Sequence, residues 1–188
     1  MNPVEISLKI LEELENSLKN INPLEVEKLV DMVSSSKKIF VAGAGRSLLM
    51  MRGLAMRLMQ LGFQSYVVGE TVTPAIGPGD LLIIGSGSGE TETMKVVANN
   101  AKKAGAKLAL FTIYPNSTIG QLANFVIQIS ASTSKVKNKQ AIKSFQPGAN
   151  TFEQSLLILC DAVIIRLIEK LNIQNPNKII MKYHANLE

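Results

Sequence analysis

The stretch LLIIGSGSGETETM, residues 81–94, decides the fold. It begins with four apolar residues that predict a short buried strand, continues with three glycines alternating with two serines, and then enters a helical pattern. A strand that is apolar on both faces and runs directly into a helix is typical of a parallel sheet covered by helices. The stretch therefore predicts an α/β unit with a polar loop at the carboxyl end of its strand.

The same alternation of strands and helices extends outward along the chain. Apolar segments at 38–45, 64–69, 106–113 and 124–130 bring the number of predicted strands to five. The predicted fold class is α/β: a three-layer α/β/α sandwich around a five-stranded parallel sheet in the flavodoxin-like order 2-1-3-4-5. We expect one domain over residues 1–188, divided into N-terminal helices (1–36), an α/β core (37–130), an active-site loop (131–150), a long helix (151–171) and a C-terminal tail (172–188).

Composition and charge exclude several classes of protein. The chain is 46% apolar and carries a formal net charge of +5, and its basic cluster lacks the interleaved aromatic residues that stack nucleic-acid bases, so we expect no nucleic-acid partner. The cluster consists of Lys135, Lys137, Lys139 and Lys143. The single cysteine, Cys160, lies on an apolar helical face, which predicts a buried inert thiol and fits a reducing compartment. No basic leader and no run of ~18 apolar residues occur, so we expect a soluble cytoplasmic protein without membrane contact.

Two polar glycine loops follow neighbouring strands of the predicted sheet, GAGRS at 43–47 and GSGSGET at 85–91. The predicted strand order places both at the switch point where open α/β sheets bind ligands. A nucleotide P-loop requires a lysine that neither loop has, and a dinucleotide fingerprint requires a third glycine where Leu48 and Glu90 stand. A hydrolase nucleophile would stand at Gly87. All three mechanisms are therefore excluded.

Hydroxyl groups and helix N–H groups remain, and together they form a cradle for one phosphate monoester. The dipole of the following helix adds about 0.3–1 kcal/mol of favourable field. The alternative is that the serines cap a helix and the glycines form a tight turn, and the second polar loop favours binding over this alternative. The candidate substrate-binding residues in the two loops are Gly45, Arg46, Ser47, Ser86, Gly87, Ser88, Gly89 and Thr91. Arg46 is a candidate for neutralising the phosphate, and a surface salt bridge is the equally plausible alternative.

The motif S-x-S-G-E-T after a strand, preceded by G-x-G-x-S, resembles the sugar isomerase (SIS) domain, a phosphosugar-binding fold. The further segments AMRLMQLGF, VGETVTPAI, QPGANTFEQ and HANLE resemble the 6-phospho-3-hexuloisomerase family, and the resemblance covers essentially the whole chain. It implies interconversion of D-arabino-3-hexulose 6-phosphate and fructose 6-phosphate in the ribulose monophosphate pathway, which fixes or detoxifies formaldehyde. It also implies a homotetramer. Leu48 departs from the family, where a small residue is common.

Moving the ketone from C3 to C2 requires a base that removes the C2 proton, forms a cis-enediolate and returns a proton to C3, with no metal or other cofactor. The resemblance places an active-site glutamate at Glu153. The alternative is an acid in the first turn of a helix capped by Thr151 and Gln154. Glu70, in the loop after the second strand, is the second candidate for this base. The other roles open to it are orienting a sugar hydroxyl and simply facing water. By analogy with distant sugar isomerases, His184 is a second candidate catalytic residue, entering the site of a neighbouring subunit from the tail.

Two other functions fit the same loops. One is a sensing module that binds phosphosugars without turnover, as in some transcription regulators. The ~35 residues before the first strand are too few for a helix-turn-helix domain with a linker, which disfavours it. The other is a different aldose-ketose isomerase, such as an arabinose 5-phosphate isomerase, although such enzymes often carry regulatory domains that we do not expect here.

Overall fold

The computed structural model describes residues 1–132 and 144–187. Its five strands form one sheet, in which every neighbouring pair is parallel, in the order β2-β1-β3-β4-β5. The predicted fold class and strand order are therefore confirmed. The strands are β1 (Ile39–Gly43), β2 (Ser65–Val67), β3 (Leu81–Gly85), β4 (Lys107–Thr112) and β5 (Phe125–Gln128).

Seven helices occur in the described part of the chain. Asn2 and Asn22 cap the first two, each followed by a proline at the first helical position, and Gly62 with φ of 93° follows the end of the third. The last helix lies in the tail, where no element is expected from the sequence. The helices are α1 (Pro3–Lys19), α2 (Pro23–Ser35), α3 (Gly45–Gln60), α4 (Glu92–Lys103), α5 (Thr118–Leu122), α6 (Asn150–Lys170) and α7 (Pro176–Lys182).

Helices cover both faces of the sheet because the strands are apolar on both. In β1, Ile39 and Val41 pack in one buried cluster with α2, α3 and α6, whereas Phe40 and Ala42 pack in a second cluster with α4 and α5. Cys160 lies in the first cluster and is buried, as predicted. Burial, with a smaller contribution from the neighbouring Asp161, raises the pKa of its thiol well above the ordinary value.

Two further expectations concern the loop before α6 and membrane-spanning helices. The lysine cluster and most of the expected active-site loop fall in residues 133–143, outside the described residues. Among the helices of residues 1–132 and 144–187, none combines the length and the apolar character that crossing a bilayer requires.

Candidate active site

A pocket of about 370 Å³ opens at the carboxyl ends of β1 and β3. This is the point where the strand order reverses, since β2 lies on one side of β1 and β3 on the other. Three segments line it: residues 44–47 after β1, residues 85–88 with Thr91 after β3, and residues 148–150 with 152–153 at the start of α6. The two loops predicted from the sequence therefore face one space, together with a third segment.

The amino termini of three helices point into this pocket. Within the described residues, the N-cap positions of α3, α4 and α6, which are Ala44, Thr91 and Ala149, form no side-chain cap hydrogen bond. The four helices away from the pocket do have such caps, from Asn2, Asn22, Ser117 and Asn175. Because first-turn N–H groups have no partner inside a helix, these three amino termini remain available to an anion.

The hydroxyl groups of the second loop shape its turn and leave the start of α4 uncapped. Ser86 Oγ is buried, accepts from the Gly89 N–H at 3.2 Å and lies 3.4 Å from Thr91 Oγ1. Ser88 Oγ accepts from the Glu90 N–H at 3.2 Å. The alternative in which these serines cap the helix is therefore wrong, and the part of it that assigns the glycines to a tight turn agrees with the structure.

Glycine is required where the loop approaches the helices behind it. A Cβ at Gly85 would lie 2.9 Å from the Met51 side chain and 3.0 Å from Leu156. A Cβ at Gly89, where φ is +63°, would overlap the Ser117 side chain. Gly89, a predicted substrate-binding residue, therefore shapes the turn and does not itself line the pocket.

An ion pair spans the pocket from α3 to α6. Arg46 Nη1 donates to Glu153 Oε2 at 3.1 Å and to Asn150 Oδ1 at 2.6 Å. The Glu153 side chain is 13% exposed and that of Arg46 is 42% exposed, so the carboxylate is the more enclosed partner. The arrangement puts one carboxylate, held by one guanidinium, in the same pocket as the hydroxyls of the second loop.

The residues that begin α6 differ from the sequence interpretation. Ala149 is the N-cap, and the Thr151 hydroxyl instead donates to Glu13 on α1, so the predicted cap by Thr151 and Gln154 is wrong. Sequence reasoning misses Asn150: it stands in the QPGANTFEQ segment, but only its contact with Arg46 marks it as a site residue. Phe152, also missed, is fully buried and lines the pocket beside Gly87.

Two candidate residues do not line this pocket. Glu70 lies in the turn after β2, with its Oε1 3.5 Å from Arg52 Nη2. His184 follows α7 in the exposed tail, and its Nδ1 lies 3.0 Å from the Ala185 carbonyl oxygen. In the described chain the pocket thus brings together Arg46, Ser47, Ser86, Ser88, Thr91 and Glu153, and neither Glu70 nor His184.

The two acidic residues at the end of the second loop, Glu90 and Glu92, contact residues outside the pocket. Glu90 accepts from the Thr118 N–H at 2.6 Å and from the Thr118 hydroxyl at 2.8 Å, and these bonds hold the pKa of Glu90 below its ordinary value. Glu92 is 85% exposed and contacts Lys95. Neither carboxylate lines the pocket, and both contact the Lys95 ammonium group.

Comparisons with known proteins identify the relatives of this chain. The model of the SIS domain matches residues 32–156. A 3-hexulose-6-phosphate isomerase from Bacillus subtilis (strain 168) is 44% identical over 188 residues, which cover 100% of both chains. A 3-hexulose-6-phosphate isomerase from Mycobacterium gastri is 38% identical over 179 residues, which cover 95% of this chain and 88% of that protein. A crystal structure from Methanococcus jannaschii, from which a molecular function of 3-hexulose-6-phosphate isomerase was inferred, superposes with a TM-score of 0.82 at 34% identity, covering 100% of both chains.

Proposed function

The chain belongs to the SIS domain family, and we propose that it is an isomerase that interconverts D-arabino-3-hexulose 6-phosphate and D-fructose 6-phosphate. Similarity to proteins named 3-hexulose-6-phosphate isomerase over 87–100% of this chain supports the substrate. One structural observation carries the proposal: three uncapped helix amino termini and a hydroxyl-lined loop meet one carboxylate in a single pocket.

The phosphate of the substrate binds at the loop after β3. Ser86, Ser88 and Thr91 donate hydroxyl hydrogen bonds, and N–H groups at the start of α4 add backbone donors. Ser47, at the start of α3, contacts the substrate from the other side of the switch point. Gly45 and Gly87 allow the backbone to approach closely.

The sugar chain then extends from the phosphate towards Glu153. This carboxylate removes the proton from C2, the substrate passes through a cis-enediolate, and a proton returns at C3. Arg46 holds Glu153 in place and supplies a positive charge beside the oxygens on which negative charge develops. Only protons are moved, so the reaction as proposed requires neither a metal ion nor a redox cofactor.

Assembly into a homo-oligomer, a tetramer by family resemblance, completes the site in this proposal. Val4, Leu8 and Leu11 form an apolar stripe on α1 and are 69%, 57% and 57% exposed, which supports a covered surface in the assembly. His184 and Glu70 lie outside the pocket of their own chain, and we propose that the tail carries His184 into the site of a neighbouring subunit. The enzyme serves the ribulose monophosphate pathway, consuming the product of formaldehyde condensation, in the cytoplasm.

A direct assay tests the proposal. D-arabino-3-hexulose 6-phosphate is generated enzymatically in situ, and fructose 6-phosphate formation is followed after addition of the protein, with arabinose 5-phosphate offered in parallel. We expect turnover of the hexulose phosphate alone. Binding without turnover would indicate a sensing module, and turnover of arabinose 5-phosphate instead would indicate a different aldose-ketose isomerase.

A further inference from the structure

A carboxylate on the first helix contacts the segment that leads into α6. Glu13, near the middle of α1, accepts four hydrogen bonds from residues more than 130 positions later in the chain. One oxygen accepts from a backbone N–H, and the other from two hydroxyls and a side-chain amide. The donors are Ser144 Oγ at 2.8 Å, the Phe145 N–H at 3.0 Å, Gln146 Nε2 at 3.0 Å and Thr151 Oγ1 at 3.3 Å.

The chemistry of this cluster favours a carboxylate. A charged carboxylate has only acceptor sites, whereas a glutamine side chain would present two N–H donors in place of one oxygen, facing the Phe145 N–H or the Gln146 amide, which can only donate there. Partial burial acts to raise the pKa of Glu13, but the hydrogen bonds from Gln146, Phe145, Ser144 and Thr151 outweigh it and hold the pKa below the ordinary value. The group is therefore ionised under ordinary conditions.

A second contact lies one helical turn further along both helices. Ser155 Oγ on α6 donates to Ser17 Oγ on α1 at 3.0 Å, and both residues are buried. The pairs Glu13 with Thr151 and Ser17 with Ser155 each advance by four residues, so α1 holds the first two turns of α6 at two points. These are the turns that carry Asn150, Phe152 and Glu153.

We infer that Glu13 is a positioning residue for Glu153: its carboxylate ties residues 144–146 and Thr151 to α1 and so fixes the start of α6 against the pocket. This inference rests on the proposed function, in which Glu153 removes the substrate proton. In the proposed function the phosphate binds at the loop after β3, whereas the hydrogen bonds of Glu13 all go to residues 144–151, so we expect Glu13 to affect the chemical step more than substrate affinity. A displacement of about 1 Å at the reacting groups is enough to cost about 100-fold in rate.

The test compares Glu13→Gln with Glu12→Gln in the full-length protein. Glu12 is its exposed neighbour on the same helix, so the control removes the same charge from α1 without touching residues 144–151. The measurements are kcat and KM with D-arabino-3-hexulose 6-phosphate, and amide hydrogen exchange over residues 85–91 and 144–155.

We expect Glu13→Gln to lower kcat at least about 10-fold with KM changed less than about 3-fold, and to speed exchange at 144–155 but not at 85–91. We expect Glu12→Gln to change none of these. A kcat within about 2-fold of the unsubstituted value would overturn the inference, and so would faster exchange across the whole chain with kcat and KM altered together.

The exchange measurement separates this inference from the proposed function. If the unsubstituted protein did not turn over the hexulose phosphate, the proposed function would fail. The anchoring by Glu13 would then be judged by exchange alone: local acceleration at 144–155 supports it, and unchanged exchange there rejects it.

Discussion

Replacing Glu153 by glutamine separates catalysis from binding at this site. The substitution keeps the size of the side chain and one oxygen that can accept from Arg46, which lies 3.1 Å from the carboxylate. It removes the group that takes the proton. We therefore expect Glu153→Gln to fold and to bind phosphosugars, but to lose turnover.

The expected magnitudes follow from the geometry. A positioned general base contributes about 10²–10⁴-fold in rate, so kcat falls by that factor. The Arg46–Glu153 pair is partly exposed, at 42% and 13% for the two side chains. Pairs of this kind contribute about 0–1 kcal/mol, so releasing Arg46 changes phosphosugar affinity by no more than about 5-fold.

The assay combines steady-state kinetics with calorimetric titration of fructose 6-phosphate. Loss of the C3 proton of fructose 6-phosphate in deuterated water, followed by NMR, reports the proton transfer separately. Glu92→Gln is the matched control, because Glu92 is 85% exposed in the first turn of α4 and does not line the pocket. Retention of kcat within about 3-fold in Glu153→Gln would remove Glu153 from its role.

Three further predictions concern the scaffold. Gly85→Ala places a Cβ against the buried Met51 side chain, and we expect the free energy of unfolding in a urea titration to fall by about 1–3 kcal/mol. Cys160 should react with an aromatic disulfide reagent only after denaturation, since burial keeps the thiol protonated and inaccessible. The hydrogen bonds from Thr118 lower the pKa of Glu90, so the stability that Glu90 contributes is present above the ordinary value of 4.5 and is lost as the pH falls below that value. Between pH 6 and pH 3, the melting temperature of Glu90→Gln should therefore fall less than that of the unsubstituted protein.

Each of these predictions has a control or a contrary outcome. Gly53→Ala is the control for Gly85→Ala, because the added methyl group meets only Leu157 at 3.8 Å and a helical alanine is favoured over glycine, so stability should rise slightly. Equal stability losses for the two variants would refute the packing argument. Rapid labelling of native Cys160, or identical acid sensitivity with and without Glu90, would refute the other two.

The sheet could be predicted because its determinants are local. Each strand is a short apolar run bounded by glycine or polar residues, and the 2-1-3-4-5 order is a common solution for five such parallel strands. The loops at 43–47 and 85–91 were predicted to be neighbours for the same reason, since the order alone places β1 beside β3. Their meeting in one pocket is a consequence of topology.

Contacts with α6 could not be predicted in the same way. Arg46 and Asn150 are 104 positions apart, and Glu13 and Thr151 are 138 apart, so no periodicity or local motif joins them. The cap expected from Thr151 and Gln154 is wrong because the helix begins one residue earlier, at Asn150, after Gly148 with φ of +66°. The Thr151 hydroxyl instead donates a hydrogen bond to Glu13 on α1. The helix α7 was missed because it buries none of its residues, which leaves no core-facing pattern to find.

The central claim is that a sugar phosphate docks through its ester group on the hydroxyls and backbone amides at the end of β3. The most direct measurement is the dissociation constant of fructose 6-phosphate for the variant in which Ser86, Ser88 and Thr91 are all alanine, with circular dichroism to establish that it is folded. Hydrogen bonds to a charged group contribute about 1.5–3 kcal/mol each, so we expect affinity to fall at least about 100-fold. Affinity within about 3-fold of the unsubstituted protein, in a folded variant, would contradict the claim.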